Sequence, residues 1–187
     1  MTSNFKKILT VHRGDICQLP NIQIIVNAAN NRLQGGGGVD GAIHRNAGPE
    51  LRIECAKLYP NGCNTSDACP TSSFNLKHAK SIIHTVGPVV RTGTPEDNHQ
   101  KALSACYVNC LNAAYETFGN GFESIAFPCI STGVYGYPQR DAAELVVKTC
   151  LEWLRENDGK VGVKEIMFCC FMPDDEMFYR KFISEAE

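Results

Sequence analysis

Residues Ile24 to Asn30 read IIVNAAN, Gly35 to Gly38 are four consecutive glycines, and Val39 to His44 continue as VDGAIH. A short β-branched run is what a buried strand looks like, and apolar residues three and four apart are what a helix looks like. The order is therefore strand, glycine loop, helix. It places free backbone N–H groups and the positive end of a helix dipole at the carboxyl edge of a sheet, where open α/β folds take ligands. An anion site is the expected consequence.

A glycine in ordered regular structure costs about 0.5–1 kcal/mol relative to alanine, so four in a row need an offsetting role. A flexible linker and close backbone approach to a phosphate are the two readings. The run is too short and too tightly flanked to separate domains, which favours the phosphate. It matches neither G-x-G-x-x-G nor G-x-x-x-x-G-K-[ST], so neither a Rossmann nor a P-loop assignment is supported.

A second loop, Pro128 to Pro138 (PCISTGVYGYP), follows the apolar run Ser124–Phe127. Alone it reads as an ordinary strand-to-helix turn. Ser131 and Thr132 offer hydroxyl donors, Gly133 and Gly136 permit close approach, and Pro138 suits the start of a helix. Two such loops together can grip one pyrophosphate.

Working outward, Ile8–Val11, Ile22–Val26, Ile82–Val86, Ser124–Phe127 and Ile166–Phe171 read as buried strands. Val39–Tyr59, His99–Phe118, Arg140–Asn157 and Asp174–Glu185 read as helices, the third stopped by Asn157-Asp158-Gly159. Cys69–Leu76 reads as one further strand, with an antiparallel direction as an option. The alternation predicts an α/β fold whose mostly parallel sheet is covered on both faces. Asn61–Asp67 and Arg91–Asn98 read as surface loops. No repeat, low-complexity tract or interdomain linker interrupts the chain, so residues 1–187 are expected to form a single domain.

At 187 residues, 43% hydrophobic and 20% charged, the chain has the size and composition of one globular unit. Neither a signal peptide nor 18 uncharged apolar residues in a row can be found, so an intracellular protein, cytoplasmic or nuclear, with no membrane partner is expected. Ten cysteines in a chain of this length read as reduced thiols: Cys169 and Cys170 lie in an apolar run, and Cys106 and Cys110 share a helical face. No C-x-x-C pair occurs, and no metal is expected. A net charge of −2 and a pI near 6.2 argue against wrapping long nucleic acid. Any phosphate must be held locally.

Gly14-Asp15-Ile16, Val26-Asn27-Ala28-Ala29-Asn30, GGGGVDGAIHRNAG from Gly35 to Gly48, IHTVGP from Ile83 to Pro88 and ISTGVYGYP from Ile130 to Pro138 together resemble the MacroD-like macrodomains. The resemblance runs from about Leu9 to Phe182. It implies a three-layer α/β/α fold with a mixed, mostly parallel sheet of about six strands and an ADP-ribose cleft across its carboxyl edge. It further implies an enzyme that removes mono-ADP-ribose from acidic side chains and acetate from O-acetyl-ADP-ribose. The expected partners are therefore ADP-ribose, O-acetyl-ADP-ribose and mono-ADP-ribosylated proteins. No cofactor is expected, and the chain is expected to be a monomer.

Carried over by motif, Asp15 accepts a hydrogen bond from the adenine amino group, with the Ile16 backbone beside it, and Phe171 packs by the adenine. Asn30 and Asp40 form the catalytic pair: Asn30 holds the distal ribose, and Asp40 lies beside the anomeric carbon and its water. Gly35, Gly36, Gly37, Gly38 and Val39, with Ser131, Thr132, Gly133, Val134 and Tyr135, surround the phosphates and the distal ribose. His44 is placed with the substrate-binding residues, although its i+4 spacing from Asp40 equally fits a partner or a packed core histidine. Plainer roles exist for the others: Asp15 as a turn cap, Asp40 as a complement to the helix dipole, Phe171 as core. Asn27 reads as satisfying loop backbone and His84 as structural. Serine stands where the family usually has glycine in Cys63–Ala68 and in Ser72-Ser73-Phe74, which puts those turns in doubt.

For an ADP-ribose joined to a carboxylate, the leaving group has a pKa of about 4 and needs no strong general acid. A leaving guanidinium, with a pKa above roughly 12, is far more demanding, so arginine-linked ADP-ribose is expected to be a poor substrate. A carboxylate at a helix N-terminus is a weak base, and the role read for Asp40 is to orient water and oppose developing positive charge. Two other functions fit the same cleft: a reader that binds without chemistry, and a phosphatase acting on ADP-ribose 1-phosphate. Asn30, Asp40 and the GVYG stretch favour the hydrolase.

Overall fold

The computed structural model describes residues 4–118, 121–158 and 162–187. Six strands form one sheet: β1 (Leu9–Arg13), β2 (Ile24–Ala28), β3 (Ala68–Ser72), β4 (Ser81–Thr85), β5 (Ser124–Phe127) and β6 (Glu165–Cys170). Their order across the sheet is β1-β6-β5-β2-β4-β3. All neighbouring pairs are parallel except β3 with β4, which run antiparallel from Ala68 opposite Thr85 to Ser72 opposite Ser81. The sheet is mixed, as expected, and the direction left open for the third strand is antiparallel.

Five helices cover it: α1 (Gly38–Ala47), α2 (Pro49–Leu58), α3 (Asp97–Thr117), α4 (Gln139–Glu156) and α5 (Pro173–Glu185). Successive strand residues point to opposite faces, and here they feed two cores. Ile24, Val26, Ile83 and Ile125 join the core under α3, α4 and α5; Ile25, Ile82 and Ala126 join the one under α1 and α2. That is the three-layer arrangement. Cys106 and Cys110 lie in the first core, and all ten cysteines are free thiols, nine of them buried.

One helix expectation is corrected. Val39–Tyr59 is not a single helix but α1 and α2, broken where Gly48 adopts φ +96° and Pro49 opens the second. Proline clashes with the carbonyl four residues before it and has no N–H to donate, so the chain turns here although the apolar spacing runs on. The strand expected over Cys69–Leu76 ends at Ser72. Gly159, read as part of a helix stop, lies outside the described residues; α4 itself ends at Glu156.

The turn with serine in place of glycine keeps a glycine-like backbone. Ser66 has φ +75°, and its hydroxyl donates to the Ala102 carbonyl at 2.7 Å while its own carbonyl accepts from Asn109 Nδ2 at 2.8 Å. Those bonds to α3 offset the strain of a left-handed serine.

Candidate functional site

At the carboxyl ends of the parallel strands lies a cleft of about 770 Å³. The loop after β2 and the first turn of α1 supply one wall through Asn30, Gly36, Gly37, Gly38, Val39 and Asp40. The loop between β5 and α4 supplies the other through Ser131, Thr132, Gly133, Val134 and Tyr135. Asp15, Ile16 and Phe171 line one end. Gly35 and His44 do not line the cleft; they face a second cavity on the far side of the glycine loop.

The first wall is shaped by glycine. Gly35 and Gly38 adopt φ +89° and +56°, and a Cβ on Gly41 would run into the Gly36 carbonyl, so the loop folds tightly onto the helix start. The N-cap of α1 is Gly37, which has no side chain to cap the first turn. The first helical N–H groups are left for a ligand.

The second wall is braced rather than decorated. A Cβ on Gly87 would collide with Ser131 Oγ and Ile130, so the chain after β4 presses directly on this loop. The Ser131 hydroxyl donates to the Pro88 carbonyl at 2.7 Å, and the Thr132 hydroxyl to the Cys129 carbonyl at 2.9 Å. Both hydroxyls, read from the sequence as donors to a ligand, thus donate to main-chain carbonyls and brace the loop, with Ser131 at φ +67°. Gly136 N–H donates to Gly133, Tyr137 N–H to Ser131, and Val90 N–H to Tyr135. Among the described residues, the N–H groups of Gly133, Val134 and Tyr135 have no acceptor, and they lie on the cleft wall. Two rims of unpaired backbone donors thus face one volume, an anion-binding arrangement.

Between the rims sits Asp40, only 4% exposed. Its Oδ1 accepts from Asn27 Nδ2 at 2.8 Å. The same amide contacts Nδ1 of His84 at 3.0 Å, and Nε2 of His84 contacts the Thr71 hydroxyl at 2.9 Å. With one Asn27 hydrogen on Asp40 and the other on His84, Nδ1 must be the bare nitrogen and Nε2 must carry the proton. Burial, with a smaller effect from His44, pushes the His84 pKa down to about 3, so the ring is neutral. His44 Nε2 approaches Asp40 Oδ1 to 3.4 Å without an aligned hydrogen bond. Burial lowers the His44 pKa more than the Asp40 carboxylate raises it, and Arg52 adds to the lowering. Asp40 is thus a carboxylate held by neutral partners, one oxygen anchored and the other beside Gly36, where a Cβ would stand 3.0 Å from it.

Asn30 closes the loop on itself: its Oδ1 accepts from Arg32 N–H at 3.1 Å and its Nδ2 donates to the Gly35 carbonyl at 3.2 Å. At the other end, β1 and β6 pair with Arg13 opposite Cys170, which brings the residues after each strand together. Asp15 caps a short 3-10 turn (Ile16–Gln18) by accepting from Cys17 N–H at 2.8 Å, while Phe171 is 79% exposed. An aromatic face left in water beside a carboxylate is a platform for a flat, hydrogen-bonding ring.

Sequence reasoning missed Asn27, whose target lies 13 residues away, and the cleft residues Arg45, Gly87, Gln139 and Asp175. Gly87, in a glycine-proline pair just past a strand, carried a readable signal of close approach. Among the described residues, no helix is long and apolar enough to cross a membrane, and no group of His, Cys, Asp and Glu is placed to hold a metal ion.

The Macro domain family model matches residues 26–146. The human protein named ADP-ribose glycohydrolase MACROD2 is 46% identical over 98% of the chain, which spans only 42% of that relative's length. The Escherichia fergusonii O-acetyl-ADP-ribose deacetylase is 44% identical, covering 96% of this chain and 97% of its own. Among solved structures, the Oceanobacillus iheyensis macrodomain with ADP superposes with a TM-score of 0.83 at 40% identity, over 95% of this chain and 90% of that one. With the family model matching well over half of the chain and a relative of like length 44% identical, this protein belongs to the Macro domain family.

Proposed function

We propose that the cleft binds ADP-ribose and that the protein is a hydrolase acting at its distal ribose. Its substrates are mono-ADP-ribose on acidic protein side chains and O-acetyl-ADP-ribose. The observation that carries this reading is Asp40, a buried carboxylate fixed by Asn27 between two rims of unpaired N–H groups. A binding module needs the rims alone. A carboxylate anchored by a buried amide, with one oxygen left toward the cleft at the end opposite the exposed aromatic, favours a hydrolase over such a module. The relatives named as a glycohydrolase and a deacetylase, and the neighbour holding ADP, support the same substrate class.

In this reading the pyrophosphate accepts from Gly133, Val134 and Tyr135 and from the start of α1. Asp15 and Phe171 hold the adenine, and Asn30 the distal ribose. Oδ2 of Asp40 orients a water toward the anomeric carbon and opposes the positive charge that grows there. For the protein substrate the bond between the anomeric carbon and the acceptor oxygen breaks, water supplies the new hydroxyl and loses a proton to solvent, and the acceptor departs as a carboxylate without a strong acid. For O-acetyl-ADP-ribose the water attacks the acetyl carbonyl instead, the acyl–oxygen bond breaks, and the ribose oxygen leaves with a proton drawn from that water.

The test is to incubate the protein with a glutamate-linked mono-ADP-ribosylated substrate and, separately, with O-acetyl-ADP-ribose, while measuring ADP-ribose affinity by calorimetry. Release of ADP-ribose and of acetate is expected. Asp40→Ala should lose turnover by at least about 10²-fold and still bind ADP-ribose. Saturable binding with no product from the unaltered protein would make it a reader.

A further inference from the structure

The turn at Gly48-Pro49 does more than end a helix. Arg45 in the last turn of α1 and Arg52 in α2 come to line one groove of about 550 Å³, with Gly35, Gly36 and His44. Among the described residues, neither guanidinium belongs to an ion pair. Gly36 and Arg45 line the cleft as well as the groove. On the cleft side, a Cβ on Gly36 would stand 3.0 Å from Asp40 Oδ2 and 3.1 Å from Asn30 Nδ2. The wall between the reacting carboxylate and the groove is therefore a single backbone.

A protein joined to the distal ribose would leave the cleft beside Asp40, and Gly36 and Arg45, shared by cleft and groove, form the rim over which the residues flanking its modified side chain would pass. We propose that Arg45 and Arg52 bind acidic residues flanking the modified glutamate or aspartate, so that the hydrolase favours acidic acceptor segments. This rests on the hydrolase reading given above. A guanidinium fork pairs with a carboxylate through two parallel hydrogen bonds, which suits short acidic side chains arriving one at a time. Two arginines on a helix pair that also carries Glu50 and Glu54, in a chain of net charge −2, do not make the basic tract that a nucleic acid requires.

Two synthetic peptides, each with one glutamate-linked ADP-ribose, test the inference: one flanked by Asp and Glu, the other by Asn and Gln. O-Acetyl-ADP-ribose serves as a substrate with no flank. The unaltered protein should show a KM roughly fivefold lower for the acidic peptide, an advantage that shrinks as salt rises. Arg52 is exposed and lines only the groove, so Arg52→Gln should erase most of the difference while leaving kcat and O-acetyl-ADP-ribose turnover unchanged. Arg52→Glu should turn the preference toward a peptide with lysine flanks. Equal KM values for the two peptides, a preference that survives Arg52→Gln, or a stronger preference for ADP-ribose on an oligonucleotide phosphate would each overturn the groove's role. If O-acetyl-ADP-ribose and both peptides are inert, it is the hydrolase reading that falls.

Discussion

Asn27 Nδ2 lies 2.8 Å from Oδ1 of Asp40, joining the end of β2 to the first turn of α1 inside the protein. The bond fixes which oxygen of Asp40 faces the cleft. Asn27→Ala should leave the carboxylate present but free to rotate, and a misplacement of about 1 Å can reduce a rate by about 10²-fold. The expected result is a kcat for O-acetyl-ADP-ribose reduced by about 10- to 100-fold with ADP-ribose affinity nearly unchanged. Calorimetry alongside steady-state rates separates the two, and an equal loss in both would show that Asn27 acts through folding.

Gly36 and Gly37 are neighbours with opposite surroundings. A Cβ on Gly36 would crowd Asp40 Oδ2 and Asn30 Nδ2, whereas one on Gly37 meets nothing within 4 Å. Neither has the positive φ that would itself strain an alanine. Gly36→Ala should therefore lower kcat/KM by about 10-fold or more, and Gly37→Ala should leave it within about twofold. Parallel assays of the two variants decide it; equal sensitivity would mean that loop flexibility, not space, sets the requirement.

Much of this was legible in the sequence, for a local reason. Strand ends, glycine loops and helix starts are written in consecutive residues, and the cleft is built where they meet. What could not be read were contacts that depend on how the layers stack. Asn27 sits at a strand end where loop satisfaction is the commoner fate, and only the packing of α1 over β2 turns it toward Asp40. His44, four residues on from Asp40, shares its side of the helix, yet the glycine wall separates it from the cleft and leaves it facing the groove. The break at Gly48-Pro49 was written in the sequence, but the apolar spacing that continued through it concealed it.

His84 sets a pH dependence. Its pKa is about 3 in the folded chain against an ordinary 6.5, so between those values the unfolded chain binds a proton that the folded one refuses. Its contribution to stability is present above 6.5 and is lost as pH falls toward 3. The slope for one proton is up to about 1.4 kcal/mol per pH unit. Burial lowers the pKa of His44 as well, with the same sign. Urea unfolding between pH 4 and 7 should show stability falling with pH, and His84→Gln should flatten that slope; an unchanged slope would place the acid sensitivity elsewhere.

Asp175 acts in the opposite sense. It is buried with an unpaired Oδ1, and burial raises its pKa above 3.8. The folded chain holds that proton more tightly than the unfolded one, so its contribution is present below 3.8 and fades as pH rises through the folded pKa. Asp175→Asn should therefore gain stability relative to the parent as pH rises from 4 to 7. Thermal melts at the two ends of that range measure the difference, and a gain that instead grew toward low pH would contradict the assignment.

The leaving group sets a chemical limit. His44 approaches Asp40 from the groove side and His84 reaches it only through Asn27, and burial holds both rings neutral, so neither is a strong proton donor beside it. Arginine-linked ADP-ribose should be released at least about 10²-fold more slowly than glutamate-linked. Similar rates on the two substrates would require an acid that these residues do not provide.

The pairing of β1 with β6 has an architectural consequence. The first and last strands in chain order deliver Asp15 and Phe171, while Asn30, Asp40 and the GVYG turn all come from the interior of the chain. Under the proposed function, grip on the nucleobase and reaction at the sugar are thus written in separable stretches of polypeptide. On that reading, selection can retune which base is held by editing the outer segments, and the Asp40 carboxylate at the far end of the trough need not change.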